Sequence, residues 1–215
     1  MLTTLAMTGC RAPQRYPEIW GIYSLNSFRE AVDAELGGHV ASVLLDDLHR
    51  RLELLFADVP IRWVELEDGD VDTGHLYLFE DDSKKAVGYG WYGEGKAEVY
   101  YTGNLVRAIK AEGHDDARVY QRLVECLAAT CAHEVGHALG VHHNEDSPIM
   151  SGIMDLRDGW AEEARFLPGE VEIMRTNVYG RRPTYPALAE EPIEGPGIHR
   201  ADLRRLDLER EADER

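Results

Sequence analysis

The chain has 215 residues, with 23 lysines and arginines against 40 aspartates and glutamates, which gives a formal net charge of −17 at pH 7. So acidic a surface repels nucleic-acid phosphates and anionic headgroups, which argues against nucleic-acid binding and against docking to membranes through a basic patch. The hydrophobic fraction of 44% and the charged fraction of 29% are typical of a globular protein, and no apolar run reaches the roughly 20 residues of a membrane span.

The composition divides the chain into three segments. Residues 1–20 contain two prolines and little periodicity, and we interpret them as a lead-in. Residues 181–215 are rich in proline and paired acids, and we expect a disordered tail that could also be a linker or a partner-binding peptide. A single folded domain is therefore predicted over residues 21–180.

The lead-in contains a cysteine that suggests export. Residues 5–10 read Leu-Ala-Met-Thr-Gly-Cys, which resembles the end of a bacterial lipoprotein signal, where a small residue precedes a lipidated cysteine. Only nine residues precede Cys10, without a basic region. Two interpretations stay open, a lipid anchor at Cys10 on an exported protein of the cell envelope or extracellular space, and a frayed N-terminus with a chance cysteine.

Hydrophobic periodicity predicts the main elements of the domain in chain order. Helical spacing extends over residues 27–56 with a break at two glycines, from Val119 to Gly140, and from about Pro168 to Val178. Strands are predicted at Ile61–Leu66, His75–Phe79 and Ala97–Tyr101, the last after an irregular glycine-rich segment that begins at Val87.

A histidine pattern lies at the end of the helix that begins near Val119. His133 and His137 are four residues apart, so a helix projects both from one face towards a single metal ion. Gly140 can adopt a left-handed conformation and end the helix, after which the chain turns back and presents His143. Three imidazoles with a fourth position left open are the ligands of a catalytic zinc, and the adjacent Glu134 can hold a water without binding the metal.

This pattern resembles the zinc-binding signature of the metzincin metalloproteases, His-Glu-x-x-His-x-x-Gly-x-x-His. The resemblance implies an α+β zincin-like domain with a twisted, mainly parallel sheet, an active-site helix, a methionine turn and a C-terminal helix. The segment after His143 resembles the turn of the matrixin branch at Met150, with Met154 as the alternative. The end of the helix near Val178-Tyr179-Gly180 is similar to the last helix of matrixin catalytic domains.

The resemblance implies one catalytic Zn²⁺ on His133, His137 and His143, with Glu134 as general base and then acid in peptide-bond hydrolysis. His75 and His114 are isolated and are interpreted as polar surface residues, so no further structural zinc or calcium ion is predicted. Segment 152–166 is expected to shape the S1′ pocket, and Ala97–Tyr101 is expected to form the edge of the cleft, where a peptide could add as a strand.

The predicted protein is a monomeric zinc endopeptidase that acts on peptides or proteins. Two alternatives use the same fold without catalysis, namely a zinc-binding protein that does not turn over substrate and a surface-attached binding protein with structural zinc. The carboxylate of Glu134 favours the enzyme, because only catalysis needs it beside the metal.

Overall fold

The computed structural model describes residues 18–66, 74–81, 87–101, 103–151, 153–154, 164–178, 193–194 and 197–198. Cys10, the segment 155–163 and most of residues 179–215 lie outside this part of the chain. The sequence-based expectations for a lipid anchor and for most of the S1′ segment and of the tail fall on those residues, while the strands at 193–194 and 197–198 lie within the predicted tail.

Within the described residues, the first half of the chain holds one strand, two helices and then four consecutive strands, and the longest helix lies in the second half. In chain order the elements are β1 (Glu18–Ser24), α1 (Asn26–Leu36), α2 (Ala41–Leu55), β2 (Ile61–Leu66), β3 (Gly74–Glu80), β4 (Gly88–Trp91), β5 (Lys96–Tyr101), α3 (Gly103–Ala111), α4 (Asp116–Ala138), β6 (Ile153–Met154), α5 (Pro168–Val178), β7 (Ile193–Glu194) and β8 (Gly197–Ile198).

The main sheet has the strand order β2-β1-β3-β5-β4-β7. The β1–β2, β1–β3 and β3–β5 pairs are parallel, whereas β4 runs antiparallel to β5 and to β7. The predicted α+β architecture with a mainly parallel sheet is therefore confirmed. The strands β6 and β8 pair with each other in a separate two-stranded sheet.

Several elements lie where the sequence analysis placed none, namely β1, α3 and the two-residue strands β6, β7 and β8. The strand β1 begins at Glu18, inside the predicted lead-in, and pairs with two neighbours in the sheet. Its Trp20 and Ile22 are buried on the core side. The helix α3 buries Leu105, Val106 and Ile109, a helical spacing that the sequence analysis passed over.

The predicted cleft edge at Ala97–Tyr101 is wrong. These residues form β5, which pairs with β3 on one side and β4 on the other, so its backbone groups are already used within the sheet. The glycine-rich segment before it is a strand, β4, which pairs with β5 on one side and with the two-residue strand β7 on the other. A hairpin turn at residues 92–95 places β4 outside β5.

The helix α4 crosses the core and is buried along almost its whole length. Residues 122–138 are all buried, and the helix packs against β4, β5, α2 and α3. Its first turn is capped by the Asp115 side chain, which accepts a hydrogen bond from the Arg118 amide at 2.8 Å. No described helix is both long enough and apolar enough to cross a bilayer.

Candidate metal centre

The three predicted histidines converge at the C-terminal end of α4. The Nε2 atom of His133 lies 3.0 Å from Nε2 of His137 and 3.3 Å from Nε2 of His143. One nitrogen from each ring falls within 4.8 Å of the other two. Among the described residues, this is the one group of three histidines, cysteines or acids close enough to share a metal ion.

The end of α4 turns the chain so that the third histidine can reach the first two. Gly140 has a φ of +90°, its amide donates to the His137 carbonyl at 2.8 Å, and the Val141 amide donates to the Gly136 carbonyl at 2.9 Å. These two bonds are those of a Schellman motif, which needs a residue with positive φ at the position of Gly140. The chain leaves the helix through this turn and brings His143 back towards it.

Backbone carbonyls fix the orientation of the first two rings. Nδ1 of His133 lies 2.7 Å from the carbonyl oxygen of Ile149, and Nδ1 of His137 lies 2.7 Å from that of Val141. A carbonyl only accepts hydrogen bonds, which assigns the proton of each neutral ring to Nδ1. The Nε2 lone pairs are therefore free, and they point at one another.

The site is buried on the side of α4 and exposed to solvent at His143. His133 and His137 are buried, whereas His143 is exposed. Burial, with the neighbouring histidines, lowers the pKa of His133 to about 3 and that of His137 to about 4, and burial also lowers the pKa of His143. All three rings are neutral at pH 7, which is the protonation state that a metal ligand requires.

Glu134 is the buried acid of this site. It has no exposed surface, and neither of its carboxylate oxygens has a hydrogen-bond partner among the described residues. Burial raises the pKa of this carboxyl well above its ordinary value. A buried acid without donors is costly, so it suits a position beside a cation or a polarised water.

The strand β4 passes directly against the histidine helix. A Cβ atom at Gly90 would lie 2.2 Å from the Glu134 carbonyl oxygen and 2.6 Å from Cβ of His137. Only glycine allows the strand to approach so closely. The turn after β4 donates from the amides of Gly93 and Gly95 to the His137 and Ala138 carbonyls, each at 3.3 Å, and so satisfies carbonyls at the end of α4.

Met150 packs against α4 at Gly136, between His133 and His137. Its side chain is fully buried, and its sulfur lies 2.7 Å from the place where a Cβ of Gly136 would stand. Met154 belongs to β6, and its side chain is outside the described part. His75 stacks on Tyr77 and Tyr23. Nε2 of His114 lies 2.9 Å from Glu112 Oε2. Neither histidine belongs to the group of His133, His137 and His143.

The donor set fits a zinc ion. Three neutral imidazole nitrogens from one helix and the following loop are ligands that zinc accepts, and the exposed His143 side leaves room for a further ligand. The carbonyls of Ile149 and Val141 accept the Nδ1 protons of His133 and His137, and such hydrogen bonds orient histidines that bind a metal. His133, His137 and His143 would hold the ion.

The sequence analysis missed several residues that shape this site, namely Gly88, Gly90, Asn144, Ser147 and Glu170. Glu170 is buried on α5 and bonds to the loop that follows His143. Its position two residues after Pro168, at the third residue of the predicted helix, is a capping signal. The glycines of β4 alternate with Tyr89 and Trp91, which is a pattern of period two.

No protein-family model matches the chain, and no curated protein matches it. Among solved structures, archaemetzincin from Methanopyrus kandleri is similar at a TM-score of 0.50 and 15% identity, over 78% of this chain and 99% of that one. That likeness shows a shared fold.

Two further solved structures are similar at lower scores. They are archaemetzincin from Archaeoglobus fulgidus in complex with malonate, with a TM-score of 0.45, 15% identity, and coverage of 72% of this chain and 99% of that one, and a zinc-dependent peptidase from Methanocorpusculum labreanum, with a TM-score of 0.41, 14% identity, and coverage of 73% and 99%.

Proposed function

We propose that this protein is a zinc-dependent metallopeptidase that cleaves internal peptide bonds. The observation that carries the proposal is the convergence of three imidazole nitrogens within 4.8 Å of one another. The residue next to His133 in the chain, Glu134, is a buried acid whose oxygens have no hydrogen-bond partner among the described residues. A zinc-binding protein without catalysis would need the three histidines as ligands, but it would not need the buried carboxylate of Glu134.

A zinc ion held by these three rings would acidify a water molecule and polarise the carbonyl of the substrate. Glu134 would take the proton of that water and pass it to the departing amine. Burial raises the pKa of this carboxyl, so it takes up a proton more readily than an exposed glutamate would. The buried imidazoles stay neutral and keep their lone pairs on the metal side.

The position of β4 suggests where the substrate lies. Its backbone passes within contact distance of Glu134 and His137, and its outer edge is paired only by the two residues of β7, at Tyr89 and Gly90. A peptide that took the place of β7 along this edge would place its own backbone beside the histidines. This replaces β5 as the proposed edge of the cleft.

The finer assignments belong to the same proposal. Met150 is the methionine of the turn below the metal, on the support of its burial and its contact with Gly136. The matrixin-like subfamily rests on the sequence around Met150 and Val178. Export and lipid attachment at Cys10 rest on the sequence of residues 5–10 alone.

A mixed peptide library tests the class of the protein and its subsite preference together. We expect the native protein, loaded with zinc, to cleave a subset of peptides at internal bonds, and Glu134→Ala to bind zinc but to spare them. Removal of the carboxylate removes the proton transfer, for which losses of about 10²–10⁴-fold are typical. If the monodisperse, zinc-loaded native protein cleaves no peptide, the peptidase proposal is wrong and the protein is a zinc-binding protein without catalysis.

A further inference from the structure

The loop that carries His143 has no helix or strand of its own. Between the end of α4 and Ser151 it is held by a few hydrogen bonds, of which the Asn144 amide to the Met150 carbonyl, at 2.9 Å, closes the turn. The same loop supplies the Ile149 carbonyl, to which His133 donates. One ligand and the orientation of another therefore depend on the conformation of this loop.

Glu170 of α5 binds this loop at two points. Its Oε2 atom accepts from the Ser147 hydroxyl at 2.9 Å, and its Oε1 atom accepts from the Asn144 side-chain amide at 3.2 Å. The carboxylate is buried, with 4% of its residue surface exposed, so these bonds are shielded from water. Asn144 directly follows His143 in the chain.

The contacts continue from Ser147 to the first ligand. The Ser147 oxygen accepts from the Met150 amide at 3.0 Å while its hydroxyl donates to Glu170. Met150 is next to Ile149, whose carbonyl receives the Nδ1 proton of His133. A continuous series of bonds thus joins Glu170 to His133 through the loop.

Glu170 also has an ordinary structural task. Its Oε2 atom accepts from the Leu167 amide at 2.8 Å, which is half of a capping box at the start of α5. A capping residue alone would need neither Ser147 nor Asn144. The two roles can be separated, because substitution of Ser147 and Asn144 together removes both contacts with the loop and leaves the bond to Leu167 in place.

We propose that Glu170 is a positioning residue of the metal centre, which acts through Ser147 and Asn144 to hold His143 and the carbonyl partner of His133 in place. This inference rests on the proposed function only in that the three histidines bind zinc. It does not depend on peptide cleavage. It assigns to α5, which supplies no ligand, a share in the metal affinity.

The test measures zinc dissociation constants by competition with a chromophoric chelator, and the visible spectrum of the cobalt(II) form. We expect Glu170→Ala and Ser147→Ala each to weaken zinc binding by about 10–100-fold, the range typical of residues that orient metal ligands, and to change the cobalt spectrum. Because Glu170 and Ser147 share a hydrogen bond, the variant that lacks both side chains should lose less than the product of the two single losses. The exposed Glu172 on the same helix provides the control, and Glu172→Ala should keep the native affinity.

If Glu170→Ala does not fold, the combined variant Ser147→Ala with Asn144→Ala decides, since it removes both loop contacts and keeps the cap of α5. Native zinc affinity and a native cobalt spectrum in that combined variant would overturn the proposal and leave Glu170 as a cap. A native protein that binds zinc but cleaves no peptide would defeat the proposed function while leaving this test readable. A native protein that binds no zinc would overturn both.

Discussion

At the scale of single residues, Glu134 is a fully buried acid without a hydrogen-bond partner among the described residues. Both carboxylate oxygens are buried and lack hydrogen-bond donors, and burial raises the pKa of the carboxyl. In the protein without metal, the unfolded chain ionises this group above its ordinary pKa of 4.5, whereas the folded chain resists ionisation. The contribution of Glu134 to stability is therefore complete at low pH and is lost as the pH rises.

This argument predicts a pH-dependent gain from Glu134→Gln in the metal-free protein. The amide cannot ionise, so the free energy of unfolding of the variant does not fall above pH 4.5 as that of the native protein does. We expect a stability advantage over the native protein that grows as the pH rises above 4.5, by at most about 1.4 kcal/mol per pH unit, until the folded-state carboxyl ionises. Urea unfolding of both proteins in the presence of a chelator measures it, and a difference that does not change with pH would contradict the argument.

At the scale of elements, the site is made by the close approach of β4 to α4. The strand supplies no ligand, yet its glycines allow it to lie against the backbone of Glu134, and its turn satisfies the last carbonyls of the helix. The helix in turn ends in a Schellman motif whose Val141 carbonyl orients His137. The orientation of His137 and the turn that leads to His143 therefore depend on the packing of β4 against α4.

We predict that Gly90→Ala damages both folding and metal binding. The new Cβ would meet the Glu134 carbonyl oxygen at 2.2 Å, and because that atom is backbone, the strand must move. We expect a loss of about 1–3 kcal/mol in the free energy of unfolding and weaker zinc binding.

Gly169→Ala is the matched control for this substitution. Gly169 lies in the first turn of α5, and nothing lies within 4 Å of its would-be Cβ, so the change should be neutral or slightly stabilising. Chemical denaturation and chelator competition measure the two effects on both variants. Equal stability and zinc affinity in Gly90→Ala and the native protein would contradict the packing described above.

At the scale of the whole molecule, the sequence predicted what depends on neighbours along the chain. Spacing of four residues placed His133 and His137 on one helical face, and Gly140 and His143 followed from the turn that a glycine permits. The strands at residues 61–66 and 74–80 and the helix Pro168–Val178 followed from periodicity and proline. Each of these depends on contacts within a few residues.

Contacts between distant parts of the chain could not be predicted in the same way. The strand β1 has an ordinary run of apolar residues, but its place beside β2 and β3 depends on pairing with segments more than 35 residues away. The order of β4 and β5 in the sheet is likewise a matter of pairing, which is why the predicted cleft edge was wrong. Glu170 meets Ser147 across 23 residues, and no spacing rule relates the two.

The most direct test of the central claim is the rate of peptide cleavage as zinc is added to the metal-free protein. The three histidines form one site, so the rate should rise in proportion to added zinc and reach its full value at one equivalent. The same titration of Glu134→Gln should show zinc binding at one equivalent with a rate lower by about 10²–10⁴-fold. Full activity without zinc, or no cleavage by the native protein at one equivalent, would contradict the account.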